Sequence, residues 1–156
     1  MKSDKLIIVF AKNLIEGRVK TRLARDIGDF AALEVYKELL KVTEEATANS
    51  GIETWVFYSQ EIDNQQWQNS KKLVQFGNDL GEKMKNAFKV AFQAGYKSVV
   101  LIGSDLPDMN HSIISKAFSK LENDQMVFGP ADDGGYYLIG LNSMIDKIFS
   151  NKPWSQ

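Results

Sequence analysis

The chain has 156 residues, of which 44% are hydrophobic and 25% charged, and its formal net charge is −1. This length corresponds to about one domain, and the composition is that of an ordinary globular protein. The near-zero charge argues against a nucleic-acid partner. The absence of cysteine excludes disulfides, thiolate zinc sites and cysteine nucleophiles. We therefore expect one globular domain, with the reducing cytoplasm as its default location.

Short apolar runs alternate with amphipathic stretches, which is the rhythm of βαβ units in a mainly parallel sheet. The first apolar run, residues 6–11, is too short for a signal peptide or a membrane span, and it predicts a strand over residues 5–11. Apolar residues at 3- and 4-residue spacing predict helix over residues 21–49, divided at Gly28. Residues 50–51 are expected to end this helix.

The second half of the chain continues the alternation and ends in two strands that flank an acidic, glycine-rich turn. Asn110 is the expected N-cap of a helix, and Gly95 the left-handed cap that ends another. The polar, glutamine-rich stretch 59–72 is expected to be a surface loop. The predicted strands are 52–58, 73–76, 98–103, 126–129 and 136–141, and the predicted helices are 80–94, 110–121 and 143–149.

Asp105 is the first candidate for chemistry, because it directly follows the buried strand 98–103. Gly103 lets a ligand approach the backbone, and Pro107 stiffens the exit from the strand. A carboxylate here can hold a hard cation such as Mg²⁺ or Mn²⁺ that also contacts phosphate oxygens. The alternative is that Asp105 or Asp108 only forms a turn or caps a helix.

Asp132 and Asp133 are the second candidate, within the stretch Gly-Pro-Ala-Asp-Asp-Gly-Gly at residues 129–135. An Asp-Gly pair alone is a common hairpin turn, so a solvated tight turn is the alternative. The longer motif, followed by Tyr136 and Tyr137, favours a loop in which a carboxylate and bare backbone meet a ligand. Both acidic turns leave strands where open α/β sheets bind ligands, which indicates an enzyme with a metal-holding site.

The segment 12–25 is the third candidate, because it carries five cations against one acid, a net charge of +4. Basic side chains around a glycine at the start of a helix are suited to holding a diphosphate. The alternative is a solvated helix face with salt bridges to Asp26 and Glu34. The cations are Lys12, Arg18, Lys20, Arg22 and Arg25.

Several other chemistries are excluded by what the chain lacks. The only histidine, His111, stands beside a predicted cap and offers no zinc cluster or Ser-His-Asp triad. Lys20-Thr21 is similar to the end of a P-loop, but Val19 stands where glycine must precede the lysine. Neither a dinucleotide fingerprint nor a nucleophile elbow is present, so kinases, dehydrogenases and α/β hydrolases are excluded.

Four motifs together resemble a family of bacterial glycosyltransferases with the GT-A fold, classed largely by fold as nucleotide-diphospho-sugar transferases. The family is similar, more distantly, to the guanylyltransferases of molybdenum-cofactor and deazaflavin (phospholactate) synthesis. The motifs are Lys12 with Gly17 and Lys20-Thr21-Arg22-Leu23; Asp79-Leu80-Gly81-Glu82-Lys83-Met84; Gly103-Ser104-Asp105-Leu106-Pro107-Asp108; and residues 129–141, GPADDGGYYLIGL. The resemblance implies a single-domain, three-layer α/β sandwich over residues 1–156, cut short at its C-terminus relative to the family.

The resemblance also implies a metal-dependent transferase that takes a nucleotide-diphospho-sugar donor with Mg²⁺ or Mn²⁺. Asp105 and Asp133 would be the metal ligands, and Asp105, Asp132 and Asp133 the catalytic residues. A nucleotidyltransferase that releases pyrophosphate, or a nucleotide-binding module without turnover, are the alternatives. The implied nucleotide-binding residues are Ala11, Lys12, Gly17, Lys20, Arg22, Asp79, Gly81, Lys83, Gly103 and Ser104.

Overall fold

The structure, a computed structural model, describes residues 4–131 and 135–149. Helices connect most of the strands, but the second and third strands, and also the last two, follow each other without a helix between them. The elements are β1 (Lys5–Ala11), α1 (Thr21–Ile27), α2 (Asp29–Ser50), β2 (Thr54–Tyr58), β3 (Lys71–Val74), α3 (Leu80–Gln93), β4 (Ser98–Ile102), α4 (His111–Leu121), β5 (Met126–Pro130), β6 (Tyr136–Leu141) and a final 3-10 helix (Asp146–Phe149).

The six strands form one sheet in the order β3-β2-β1-β4-β6-β5. The four strands from β3 to β4 pair in parallel, whereas β6 is antiparallel to both of its neighbours. The carboxyl ends of β1 to β5 therefore lie at one edge of the sheet, which we call the carboxyl edge. β6 begins at this edge, so the connection from β5 to β6 starts and ends there.

Two apolar layers cover the sheet because successive side chains of a strand point to opposite faces. In β1, Ile7 and Val9 belong to the core under α2 and α4, and Leu6 and Ile8 to the core under α3 and the 3-10 helix. All four side chains are fully buried. A strand buried on both faces is the expected result where helices cover both sides of a parallel sheet. The predicted three-layer α/β sandwich is confirmed.

The predictions for the long helices agree closely with the structure. Gly28 separates α1 from α2 with φ 91° and ψ 160°, and Gly51 ends α2 in the left-handed conformation. The side chain of Asn110 caps α4 by accepting a hydrogen bond of 3.1 Å from the N–H of Ile113. No helix within the described residues is long and apolar enough to cross a membrane.

Several predicted boundaries are wrong. β2 begins at Thr54 instead of residue 52, and β3 spans Lys71–Val74, two residues before the predicted 73–76. The register explains this shift, because Trp55 pairs with Lys71 and the Lys71 ammonium lies 4.5 Å from the centre of a Trp55 ring. At the C-terminal end, where a helix over 143–149 is predicted, the structure has only the 3-10 helix Asp146–Phe149.

The loop between β2 and β3 is not wholly a surface loop, because Trp67 is only 4% exposed. Its indole N–H donates to the Thr47 hydroxyl at 2.9 Å, and its backbone N–H donates to the Glu44 carboxylate at 3.1 Å. Trp67 therefore anchors the loop against α2. A single tryptophan in a polar stretch has no periodicity, so the sequence pattern did not predict this anchor.

Candidate functional site

The candidate site lies at the carboxyl edge between β1 and β4. From β1 the chain proceeds to β2 and β3 on one side, and then crosses to β4 on the other side. This is a topological switch point, where open α/β sheets bind ligands between the diverging loops. β1 and β4 are paired with Val9 opposite Ile102, so Lys12 and Asp105 each follow a strand end in the centre of the sheet.

A chain of buried hydroxyl groups joins the two loops. The Lys12 backbone N–H donates to the Tyr36 hydroxyl at 2.7 Å, and the hydroxyls of Tyr36 and Ser104 are also 2.7 Å apart. The Ser104 hydroxyl donates to the Phe10 carbonyl at 2.8 Å. Because Ser104 has one hydroxyl proton, Tyr36 must be the donor to Ser104. Burial raises the pKa of Tyr36 to about 12, and the nearby Asp105 carboxylate acts in the same direction.

The basic segment meets the first acidic turn through Lys20 and Asp105. The Lys20 ammonium lies 3.9 Å from the Asp105 carboxylate, and these side chains are 29% and 61% exposed. Lys20 has left-handed backbone angles, φ 48° and ψ 47°, immediately before α1. Its neighbour Val19 is buried in the core and anchors the segment. The predicted phosphate-binding loop and the predicted metal ligand are therefore adjacent.

The alternative salt bridges of the basic segment are not formed within residues 4–131 and 135–149. Glu34 pairs with Lys37 on the surface of α2, and no ion pair there involves Asp26. Arg22 is exposed and has no carboxylate partner among the described residues. Among the described residues, Lys20 is the only cation of this segment that forms an ion pair, and a segment with so many uncompensated cations is suited to an anionic ligand.

A small cleft of about 180 Å³ opens between the loops that follow β1 and β2. Lys12 and Arg18 line it together with Asn13, Ser59 and Gln60. The Asn13 side chain is buried and holds the two loops together. Its carbonyl accepts from the N–H groups of Gln60 and Glu61 at 2.9 and 3.0 Å, and its amide donates to the Glu61 carbonyl at 2.7 Å.

Sequence reasoning missed both Asn13 and Tyr36. An asparagine directly after a strand is a signal for side-chain to backbone bonding, so Asn13 could have been suspected. The 3- and 4-residue spacing that predicts α2 also places Tyr36 on its apolar face, and that face is indeed buried. The long-range partner of its hydroxyl, 68 residues away, leaves no trace in the local pattern.

The second predicted nucleotide motif lies at the start of α3. The Asp79 carboxylate caps this helix by accepting from the N–H of Glu82 at 2.8 Å, and Gly81 is buried in the first turn. Lys83 is half-buried. Within the described residues no hydrogen bond or ion pair connects this motif to Lys20 or Asp105, so its contact with a nucleotide stays a prediction.

The second acidic turn is only partly described, because Asp132 and Asp133 lie outside the described residues. Within the described ranges no group of three or more histidine, aspartate or glutamate side chains could hold a metal ion. Asp105 nevertheless fits a magnesium site, since one or two carboxylates commonly hold Mg²⁺ while substrate phosphates complete its shell.

Ala11 and Gly17, two further residues of the predicted site, lie in different environments. Ala11 is the buried last residue of β1. Gly17 is exposed and has φ 84°, a left-handed conformation that favours glycine, in the turn before Lys20. The backbone conformation therefore explains this glycine without a ligand.

Two glycines of the predicted motifs differ in what surrounds them. A Cβ added at Gly103 meets no heavy atom of the described residues within 4 Å, whereas one at Gly129 would lie 2.6 Å from the Tyr137 ring. Gly129 is thus required by packing. At Gly103, by contrast, the described residues leave room for a larger side chain.

We expect Gly103→Ala to fold as stably as the wild type and to bind nucleotide more weakly, because its methyl group would occupy ligand space. Gly129→Ala is the matched comparison, and overpacking should destabilise it by about 1–3 kcal/mol. Denaturant unfolding and nucleotide titration of both variants measure the two effects. A stable Gly103→Ala protein with unchanged affinity would show that no ligand approaches this glycine.

The sheet order, the helices on both faces and the polar carboxyl edge define the fold of the nucleotide-diphospho-sugar transferases. The chain belongs to the family described as uncharacterized protein conserved in bacteria (DUF2064), whose family model matches residues 42–156. No curated protein matches the chain.

Solved structures share this fold. One from Desulfovibrio desulfuricans G20, named a "putative nucleotide-diphospho-sugar transferase", is 32% identical, with a TM-score of 0.91 over 99% of this chain and 71% of that chain. Rv0371c of Mycobacterium tuberculosis H37Rv, solved in complex with manganese, is 12% identical, with a TM-score of 0.53 over 97% and 77%. A cytidylyltransferase from Leptospira borgpetersenii is 12% identical, with a TM-score of 0.51 over 94% and 62%.

Proposed function

We propose that the protein is a metal-dependent transferase that takes a nucleotide-diphospho-sugar as donor. The observation that carries this proposal is the meeting of Lys20 and Asp105 at the switch point of the sheet, 3.9 Å apart. A carboxylate for a divalent cation and an ammonium for phosphate are thus side by side, as a diphosphate ligand requires. The named activity of the 32% identical Desulfovibrio protein supports the same class of donor.

Glycosyl transfer breaks the bond between the anomeric carbon and a diphosphate oxygen, so negative charge develops on the leaving diphosphate. Lys12, Lys20 and Arg22 would stabilise that charge from the loop after β1. Asp105 would hold a divalent metal, which when bound supplies further neutralisation of the leaving group. Asp132 or Asp133 would face the metal or the acceptor. No protein nucleophile is needed, consistent with a chain that has no cysteine and one histidine.

Nucleotidyl transfer is the second candidate, and the fold shared with a cytidylyltransferase favours it. A CMP-2-keto-3-deoxy-manno-octonic acid synthetase solved with CTP, 13% identical with a TM-score of 0.50, has the same fold. In this reaction the acceptor attacks the α-phosphorus and pyrophosphate leaves. The same cations and Asp105 would serve, because the leaving group is again a diphosphate.

Product analysis separates these two reactions from a module that binds without turnover. We would incubate the protein with Mn²⁺ and either sugar nucleotides or nucleoside triphosphates. Release of a nucleoside diphosphate from a sugar nucleotide supports glycosyl transfer, and release of pyrophosphate from a triphosphate supports nucleotidyl transfer. Binding without either product over a range of acceptors would contradict both enzymatic proposals and support the binding module.

A further inference from the structure

We propose that Tyr36 is a positioning residue that fixes the spacing between the cationic loop after β1 and the Asp105 turn after β4. The inference deepens the proposed function and rests on it. Tyr36 lies in α2, and its hydroxyl reaches 24 residues back along the chain to Lys12 and 68 residues forward to Ser104. The Ser104 hydroxyl also joins the Asp105 turn to Phe10 near the end of β1, and Tyr36 adds the link to Lys12 in the cationic loop itself.

The Tyr36 hydroxyl does more than fill space in the core. Tyr36 is 2% exposed, and the neighbouring core positions on α2, Leu39 and Leu40, are filled by hydrocarbon. A phenylalanine at position 36 would fill the same space without the cost of burying a hydroxyl. That cost is offset only because the hydroxyl accepts from Lys12 and donates to Ser104, with the proton order fixed by the Ser104 bond to the Phe10 carbonyl.

The hydroxyl chain acts on one proposed ligand contact, Lys12, and on the residue before another, Asp105. It holds the backbone at Lys12, whose side chain is exposed at the cleft, and the side chain of Ser104, whose neighbour is Asp105. Ser104 is 5% exposed, and its only proton is donated to Phe10. The predicted role of Ser104 in nucleotide binding is thus indirect, through the position of Asp105.

Tyr96 offers a matched control. It is 3% exposed, and its hydroxyl is hydrogen-bonded to Glu53. Tyr96 lies just before the start of β4, and Glu53 lies just before the start of β2. This is the edge of the sheet opposite to the proposed site. Tyr36→Phe and Tyr96→Phe each delete a hydrogen-bonded tyrosine hydroxyl, but only the first deletion touches the hydroxyl chain at the carboxyl edge.

The test compares these variants of the full chain in two measurements. The first is amide hydrogen exchange of Lys12 in the ligand-free protein, where we expect about tenfold or faster exchange in Tyr36→Phe. The second is the affinity for ADP, GDP, CDP and UDP with Mn²⁺, using whichever diphosphate the wild type binds best. We expect an affinity about 5- to 20-fold lower in Tyr36→Phe, from the loss of one buried hydrogen-bonded group, and within twofold of wild type in Tyr96→Phe.

Ser104→Ala keeps the inference testable if Tyr36→Phe does not fold, because it breaks the same chain from the loop side. Lower affinity and faster Lys12 exchange in either variant, with Tyr96→Phe unchanged, support positioning. If the wild type binds a diphosphate and the folded Tyr36→Phe or Ser104→Ala protein binds it equally well, the inference alone is overturned. A wild type that binds none of the four overturns the proposed function and the inference together.

Discussion

Asp105→Asn is expected to abolish metal-dependent nucleotide binding and to leave the fold intact. The Asp105 side chain is 61% exposed, and its ion pair with Lys20 is long, so the neutral amide costs little stability. Affinity for nucleotide with Mn²⁺ should fall at least about 100-fold, because even outer-shell partners of a metal are typically worth 10- to 100-fold. Isothermal titration with and without Mn²⁺ measures this loss.

Asp108→Asn is the matched control for Asp105→Asn. Asp108 is an exposed carboxylate three residues later on the same turn, and its substitution removes the same charge. We expect its Mn²⁺-dependent affinity to stay within about twofold of wild type. Equal losses in the two variants would assign the effect to general charge at this edge, and unchanged binding in Asp105→Asn would refute the metal assignment.

Lys20→Ala and Arg22→Ala should each weaken nucleotide binding about 10- to 100-fold, the equivalent of one charge-assisted hydrogen bond to phosphate. The difference from wild type should shrink as salt is raised, because exposed charges are screened over about 10 Å at 0.1 M. Arg25→Ala is the control, since it removes the same charge from the last turn of α1. Binding titrations at 50 and 500 mM salt measure the salt dependence.

Lys20→Ala should also differ from Asp105→Asn when Mn²⁺ is added alone. The Lys20 ammonium is 3.9 Å from the proposed metal ligand and repels a cation there. Its removal should therefore leave Mn²⁺ affinity unchanged or higher, while nucleotide affinity falls. Lower affinity for both Mn²⁺ and nucleotide in Lys20→Ala would mean that the lysine only supports the shape of the loop. A loss of nucleotide affinity in Arg25→Ala equal to that in Lys20→Ala would mean that the segment is merely solvated.

The sequence was sufficient to predict the fold because the local signals and the layer arrangement agree. β1 and β6 have the predicted bounds, and Gly28, Gly51 and Asn110 act as the predicted helix boundaries. Apolar strands, amphipathic helices and capping residues are all local patterns. The bounds of β3 could not be read from its residues, since Lys71 belongs to the strand through its pairing with β2.

The site was predicted as separate motifs, and the structure shows which of them come together. Lys20 of the basic segment forms an ion pair with Asp105, whereas the Asp79 carboxylate caps α3. Tyr36 remained hidden because its hydroxyl bonds to groups far away in the sequence, the Lys12 backbone N–H and the Ser104 hydroxyl. Such bonds depend on the register of the folded sheet and leave no spacing to detect in the chain.

The most direct test of a metal-dependent nucleotide site at the carboxyl edge is a thermal-shift panel of the four nucleoside triphosphates, their diphosphates and common sugar nucleotides, each with and without Mn²⁺. A ligand at 100 times its Kd stabilises by about 2.7 kcal/mol, and each kcal/mol raises Tm by about 2–4 °C at this chain length. The account predicts a rise of about 5 °C or more for one base, dependent on Mn²⁺ and absent in Asp105→Asn. No shift with any nucleotide, or an equal shift in Asp105→Asn, would contradict it.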